Sequence, residues 1–230
     1  MNSTPSPVHT HIKICGLTRP EDARACHALG VDFLGLIFAA SSRRIDRDQA
    51  LAIRRSVPAA RLVGVFADEA PDVVIETARI VELDLIQLHG FEPSDQVDAL
   101  AALTGLPVIK ALRCSPATAA SAASDLPGRA GCDFPAASYL LFDLEKGLPG
   151  DADRKRALTR LWTAAARAAR ADKPVFLAGG LDSASVSPAL ERVAPFGIDV
   201  CSGVENAPGI KDPALVERFV MEVRRGTPST

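Results

Sequence analysis

Short apolar runs alternate with longer amphipathic segments along the whole chain, and no other feature narrows the fold so far. The runs that read as strands are Ile12–Cys15, Phe33–Phe38, Leu62–Phe66, Leu85–Leu88, Val108–Ala111, Tyr139–Asp143, Val175–Ala178 and Ile198–Cys201. The segments between and after them read as helices: Pro20–Leu29, Arg47–Val57, Pro71–Val81, Pro93–Leu103, Pro116–Ser124, Asp153–Ala171, Ala184–Val193 and Pro213–Arg224. Several open with Pro near the first turn, where a missing N–H is no loss. "LGVDF", Leu29 to Phe33, stops one helix and starts the next strand, with Gly30 available for a left-handed turn. Eight strand–helix units in strict order predict a closed (β/α)8 TIM barrel of parallel strands, since an open sheet of this width would be unusual.

A length of 230 residues fits one such barrel. No segment reads as a linker, so residues 11–230 are expected as a single TIM-barrel domain. Residues 1–10, rich in Ser, Thr and Pro, are expected as a flexible tail. Hydrophobic residues make up 47% of the chain and aromatics 5%, so the core must be mostly Ala, Val, Leu and Ile, as buried parallel strands require. The net charge of -2 with dispersed basic residues argues against nucleic acid as a partner. No apolar run reaches the ~20 residues that span a bilayer. The N-terminus lacks a signal-peptide pattern. Five widely spaced cysteines without metal-ligand spacing point to free thiols in a reducing cytoplasm and to no metal.

The active site of such a barrel lies at the C-terminal ends of its strands. Those ends carry Lys13 and Cys15, Arg43 and Arg44, Gln87 and His89, Lys110 and Arg113, Asp143, and the turns "AGG" and "DVCSGVE". Gly179 and Gly180 follow the seventh strand, and Ser202 and Gly203 the eighth. Paired glycines in these two loops let backbone N–H groups approach an anion, so a phosphate site is expected there. Lys13 and Cys15 share a face of the first strand. An ammonium beside the thiol is expected to favour thiolate, giving a nucleophile or a general base; a small buried hydrophobe is the structural alternative. Asp143 ends an apolar strand and is either a protonated general acid or a loop-ordering partner of Lys110 or Lys146. Asp199 has the same ambiguity, with Lys13 or Arg43 as its expected partner. Lys13, Gln87, His89 and Asp199 are candidate substrate-binding residues; His89 has no companion that would make it a metal ligand.

These pieces resemble the phosphoribosylanthranilate isomerase family of tryptophan biosynthesis. "KICGLTRPEDA", "GLIFAASSRRI", "VGVF", "LIQLHGFE", "VIKALR", "LAGGLD" and "IDVCSGVENAPGIKD" follow in the family's order. The resemblance implies a cofactor-free Amadori rearrangement of an aminoaldose to an aminoketose. It makes Cys15 the general base, Asp143 the general acid, Arg43 the group holding the anthranilate carboxylate, and Gly179, Gly180, Ser202 and Gly203 the phosphate turns. The partner implied is a small phosphorylated aminosugar, bound by a monomer or homodimer. One departure stands out. The family's Gly-rich loop after the sixth strand is replaced by "DLEKGLPGDADRKRALTRLW", and Arg44 replaces an aromatic residue. That keeps two alternatives open: an isomerase of another phosphorylated aminosugar, and a non-catalytic barrel that binds a phosphorylated ligand. Histidine-pathway isomerases or epimerases would need paired carboxylates or metal-binding histidines, against which Cys15 speaks.

Overall fold

The computed structural model describes residues 9–114, 133–144, 151–170 and 173–226. Its eight parallel strands close in sequence order: β1 His11–Cys15, β2 Phe33–Ile37, β3 Arg61–Phe66, β4 Leu85–Leu88, β5 Val108–Cys114, β6 Tyr139–Leu144, β7 Val175–Leu177 and β8 Gly197–Val200. The seam is the pairing of β1 with β8, in which Lys13 faces Asp199. The helices among the described residues are α1 Pro20–Ala28, α2 Arg47–Ser56, α3 Pro71–Val81, α4 Ser94–Thr104, α5 Asp151–Ala169, α6 Val186–Val193 and α7 Pro213–Gly226. The helix expected over Pro116–Ser124 lies outside the described residues, as do residues 1–8 of the expected tail.

Local chemistry explains several element ends. Pro20 and Pro71 open α1 and α3. α2 starts on a reciprocal capping box between Asp46 and Gln49. α4 begins at Ser94, one residue later than expected, because Pro93 is the extended N-cap rather than the first helical residue. α6 begins at Val186, not Ala184, because the Asp182 carboxylate takes the N–H groups of Ala184 and Ser185 into a side-chain turn. β5 runs three residues past Ala111, since its pairing with β6 continues to Cys114.

Strand alternation divides the apolar residues into two cores. Phe33, Val63, Leu85, Ile109, Leu141 and Phe176 fill the barrel interior, with Phe33 edge-on to Phe176 at 5.6 Å. Ile12, Leu34, Leu62, Ile86, Val108, Leu140 and Val175 face outwards onto the helices. At the N-terminal end of the barrel, Asp32 accepts from the Ile12 N–H, His11 and Arg224. His9, His11 and Asp32 offer three ligand atoms within 4.8 Å of one another, but the Arg224 guanidinium already neutralises that carboxylate. After β8 the chain makes a 3-10 turn, Ser202–Val204, and a two-stranded hairpin, β9 Glu205–Ala207 with β10 Ile210–Lys211. No helix among the described residues is long and apolar enough to cross a membrane.

Candidate active site at the C-terminal mouth of the barrel

Alternation on β1 turns Lys13 and Cys15 into the barrel, with Lys13 deeper. Gly35 of β2 pairs with Cys15, and a Cβ there would come within 2.9 Å of its Sγ and 3.1 Å of Lys13 Nζ. The glycine is what lets two inward side chains lean against the second strand. Lys13 is fully buried and donates to Asp199 Oδ1 at 2.9 Å. Burial works against its charge, yet Asp199, with Cys15 beside it, holds the ammonium above its ordinary value.

This pairing corrects the expectation for Cys15. Burial pushes the thiol's pKa up, and the pull of Lys13 towards thiolate is offset in part by Asp199. The free protein therefore carries Cys15 as a thiol beside an ion pair, not as a preformed thiolate.

Asp143 lies one residue before the end of β6, on the inner face. Its carboxyl is about a quarter exposed, not buried. It accepts from the Leu144 N–H at 2.8 Å and faces His89 Nε2 at 3.3 Å. Gln87 Nε2 donates to His89 Nδ1 at 2.9 Å, which leaves the ring's proton on Nε2, pointing at Asp143. Lys110 is not the partner that was expected. It lies on the outer face of β5 and donates to Glu92 at 2.5 Å and to the Gly90 carbonyl at 2.9 Å. Lys146, Gly147 and Gly150 fall outside the described residues. Trp162, on α5, is half-buried against the outer core.

Arg43 is engaged too. Its Nε and Nη2 bond the Glu205 carboxylate at 2.6–3.0 Å, and Glu205 also receives Lys211 Nζ at 2.7 Å. Lys211 donates onward to the carbonyls of Cys15 and Cys201 at 2.6 and 3.1 Å, tying together the ends of β1 and β8. Gly16 makes this possible. At φ +76° a Cβ there would lie 2.7 Å from Arg43 Cδ. Cys201 packs beside the cluster, its thiol pushed up to about 12, chiefly by burial. Gly16, Glu205 and Lys211 were missed as site residues, although "KICG" and "VENAPGIK" carry them.

The two expected phosphate turns meet. Gly179 and Gly180 have φ of +102° and +74°, and among the described residues the Gly180 N–H donates to no acceptor. Gly203 packs so tightly on the Leu181 carbonyl that a Cβ would sit 2.1 Å from its oxygen. Ser202 is exposed at the start of the 3-10 turn. The Arg154 guanidinium, from α5, lies against Gly180.

A closed parallel barrel with thiol, carboxyl, imidazole and guanidinium groups gathered at one mouth is a (β/α)8-barrel enzyme. A family model described as N-(5'phosphoribosyl)anthranilate (PRA) isomerase matches residues 12–222, and the chain belongs to that family. The N-(5'-phosphoribosyl)anthranilate isomerase of Chromohalobacter salexigens is 39% identical over 224 residues, covering 93% of this chain and 94% of that protein. The one from Myxococcus xanthus is 38% identical over 211 residues, covering 91% and 93%. The crystal structure of the Thermotoga maritima isomerase superposes with a TM-score of 0.78 at 30% identity, covering 94% of this chain and 99% of that one. Another isomerase structure, at TM-score 0.76 and 29% identity over the same shares, is a complex with reduced 1-(o-carboxyphenylamino)-1-deoxyribulose 5-phosphate. A further Thermotoga maritima structure is described as monomers generated from a dimeric isomerase. The activity that goes with the family and with these full-length relatives is N-(5'-phosphoribosyl)anthranilate isomerisation, an intramolecular oxidoreductase step of tryptophan biosynthesis.

Proposed function

We propose that Cys15 is the general base and Asp143 the general acid of this isomerisation, that Arg43 receives the anthranilate carboxylate, and that the Gly179–Gly180 and Ser202–Gly203 turns receive the phosphate. The observation that carries the reading is the placement of Cys15 and Asp143 on the inner face of β1 and β6, with Asp199 close enough to feel both. The two turns lie against each other where Gly203 packs on the Leu181 carbonyl, the Gly180 N–H has no acceptor among the described residues, and Arg154 adds positive charge beside it. The ligand of the solved relative carries both anions that these groups would hold.

In this mechanism Asp143 gives its proton to the ribose ring oxygen. The C1–O bond breaks as the nitrogen lone pair forms C=N, leaving a protonated imine. Cys15 then takes the C2 proton, the electron pair moves towards the imine, and an enolamine forms. The enolamine tautomerises to the ketone. The cationic imine stabilises negative charge beside it, so the thiol that the free protein holds protonated is drawn towards thiolate when it must act. His89, aimed by Gln87, keeps the Asp143 carboxyl turned into the mouth.

The test is turnover of phosphoribosylanthranilate made in situ from anthranilate and phosphoribosyl pyrophosphate, followed by loss of substrate fluorescence with indoleglycerol-phosphate synthase present to remove product. Cys15→Ser and Asp143→Asn should each abolish turnover while the folded variants still bind the reduced product analogue. Unchanged turnover in both would overturn the assignment of roles.

A further inference from the structure

We infer that Glu205 is a positioning residue that aims the Arg43 guanidinium at the aromatic carboxylate of the substrate and so sets the preference for a carboxylated aglycone. The inference rests on the reading that Arg43 receives that carboxylate.

A guanidinium has five N–H groups in a plane. Glu205 takes Nε–H and one of the Nη2 hydrogens, along the side edge of the fork. One Nη2 hydrogen and both on Nη1 remain. Two of these lie parallel on the end edge, which is the geometry for a second bidentate carboxylate. Exposure agrees with this division. The Glu205 and Lys211 side chains are 4% and 1% exposed, whereas Arg43 keeps 14%. Arg43 is therefore the most accessible side chain of the cluster.

Charge supports the same direction. Arg43 and Lys211 are two cations against one carboxylate, so the cluster retains one positive charge. Without Lys211, Glu205 would cancel Arg43 and leave an incoming anion no net attraction. Lys211 and the Gly209 N–H hold Glu205 in turn, at 2.7 and 3.2 Å to Oε1. The carboxylate that orients Arg43 is thus itself immobilised, and the Cβ-free Gly16 lets the arginine stem lie across the end of β1.

The experiment compares inhibition constants for two ligands, the reduced product analogue and its counterpart lacking the carboxyl group, on wild type, Glu205→Gln, Glu205→Asp and Arg43→Ala. Wild type should prefer the carboxylated ligand. In Glu205→Gln the cluster gains a positive charge but the guanidinium is no longer aimed; the preference should fall at least tenfold, while affinity for the ligand without the carboxyl group stays within twofold. KM for phosphoribosylanthranilate should rise more than kcat falls. Glu205→Asp keeps the charge but withdraws it by one methylene, and should lose preference in the same sense. Equal losses for both ligands would mean that Glu205 only supports the fold, and an unchanged preference in Glu205→Gln, or in Glu205→Asp should Glu205→Gln not fold, would also overturn the inference. Arg43→Ala separates the two failures. If it retains the wild-type preference, the Arg43 reading is wrong; if it loses the preference while both Glu205 variants keep it, only the inference falls.

Discussion

Lys13 and Asp199 face each other across the seam where the barrel closes, 2.9 Å apart and shut away from solvent, with the Cys15 thiol beside them. The first strand brings the ammonium, the last brings the carboxylate, and the nearest reactive group is neither.

That arrangement fixes the sign of one substitution. Asp199 raises the Cys15 pKa, so removing its charge lowers it. Asp199→Asn keeps an acceptor for Lys13 Nζ and should make Cys15 alkylate faster with iodoacetamide at pH 8. Each unit by which the pKa falls multiplies the thiolate fraction about tenfold. The same change weakens the base, so turnover should drop as alkylation quickens. Mass spectrometry of the labelled thiol, beside the kinetic assay, reads both, and slower labelling of Cys15 would contradict the account.

Glu92 and Lys110 form a second buried ion pair away from the mouth cluster, 1% and 3% exposed, outside the barrel wall. Glu92→Gln leaves a buried ammonium without a counter-charge, with the Gly90 carbonyl at 2.9 Å and the Phe134 ring 5.6 Å away. A loss of about 3–5 kcal/mol in unfolding free energy is expected from a broken buried pair. Urea denaturation measures it, and a loss below about 1 kcal/mol would show the pair to be screened by solvent.

Acid should unfold the protein through its paired carboxylates. Burial alone would raise the carboxyl pKa of Glu92 and Glu205, but Lys110 on the one and Arg43 with Lys211 on the other hold both below the ordinary 4.5. The folded state then binds protons less readily than the unfolded chain. Their contribution is complete above about pH 4.5 and is lost as pH falls through the depressed values. Tm should be insensitive to both groups near neutrality and fall steeply below about pH 4.5, and Glu205→Gln should flatten part of that fall.

Gly203 tests the phosphate turns. An alanine Cβ would meet the Leu181 carbonyl oxygen at 2.1 Å, so the two loops must separate. Gly203→Ala should cost about 1–3 kcal/mol of stability through overpacking. Loss of even one hydrogen bond to a charged phosphate, ~1.5–3 kcal/mol, should raise KM at least about tenfold. An unaltered KM in a folded variant would move the phosphate elsewhere.

Much of the barrel was legible because it depends on periodicity. Eight apolar runs, each bounded by turn residues, are a local signal, and the eight strands fall where those runs lie. Cys15, Arg43 and Asp143 were legible as chemistry out of place at strand ends. The partner of each was not. Which side chain faces Asp143, or which carboxylate holds Arg43, depends on residues far apart in sequence: His89 for the one, Glu205 for the other. Lys110 was misjudged for a related reason. It is one residue out of phase with the inward positions of β5, and on a strand one residue reverses the face. The Cys15 pKa turned on burial and on Asp199 together, and neither is written in "KIC".

The bond from Lys211 to the Cys15 carbonyl joins residues 196 positions apart. A ribosome making about 5–20 residues per second exposes the first strand roughly ten to forty seconds before the lysine that secures it. Until β8 is made, near the end of that interval, β1 has no neighbour on one side, and the nascent chain is an unclosed sheet with two raw edges. Closure of the barrel therefore comes late, with the last strand and the hairpin after it, so a chain that loses its final segment loses the tie on Cys15 near its opposite end.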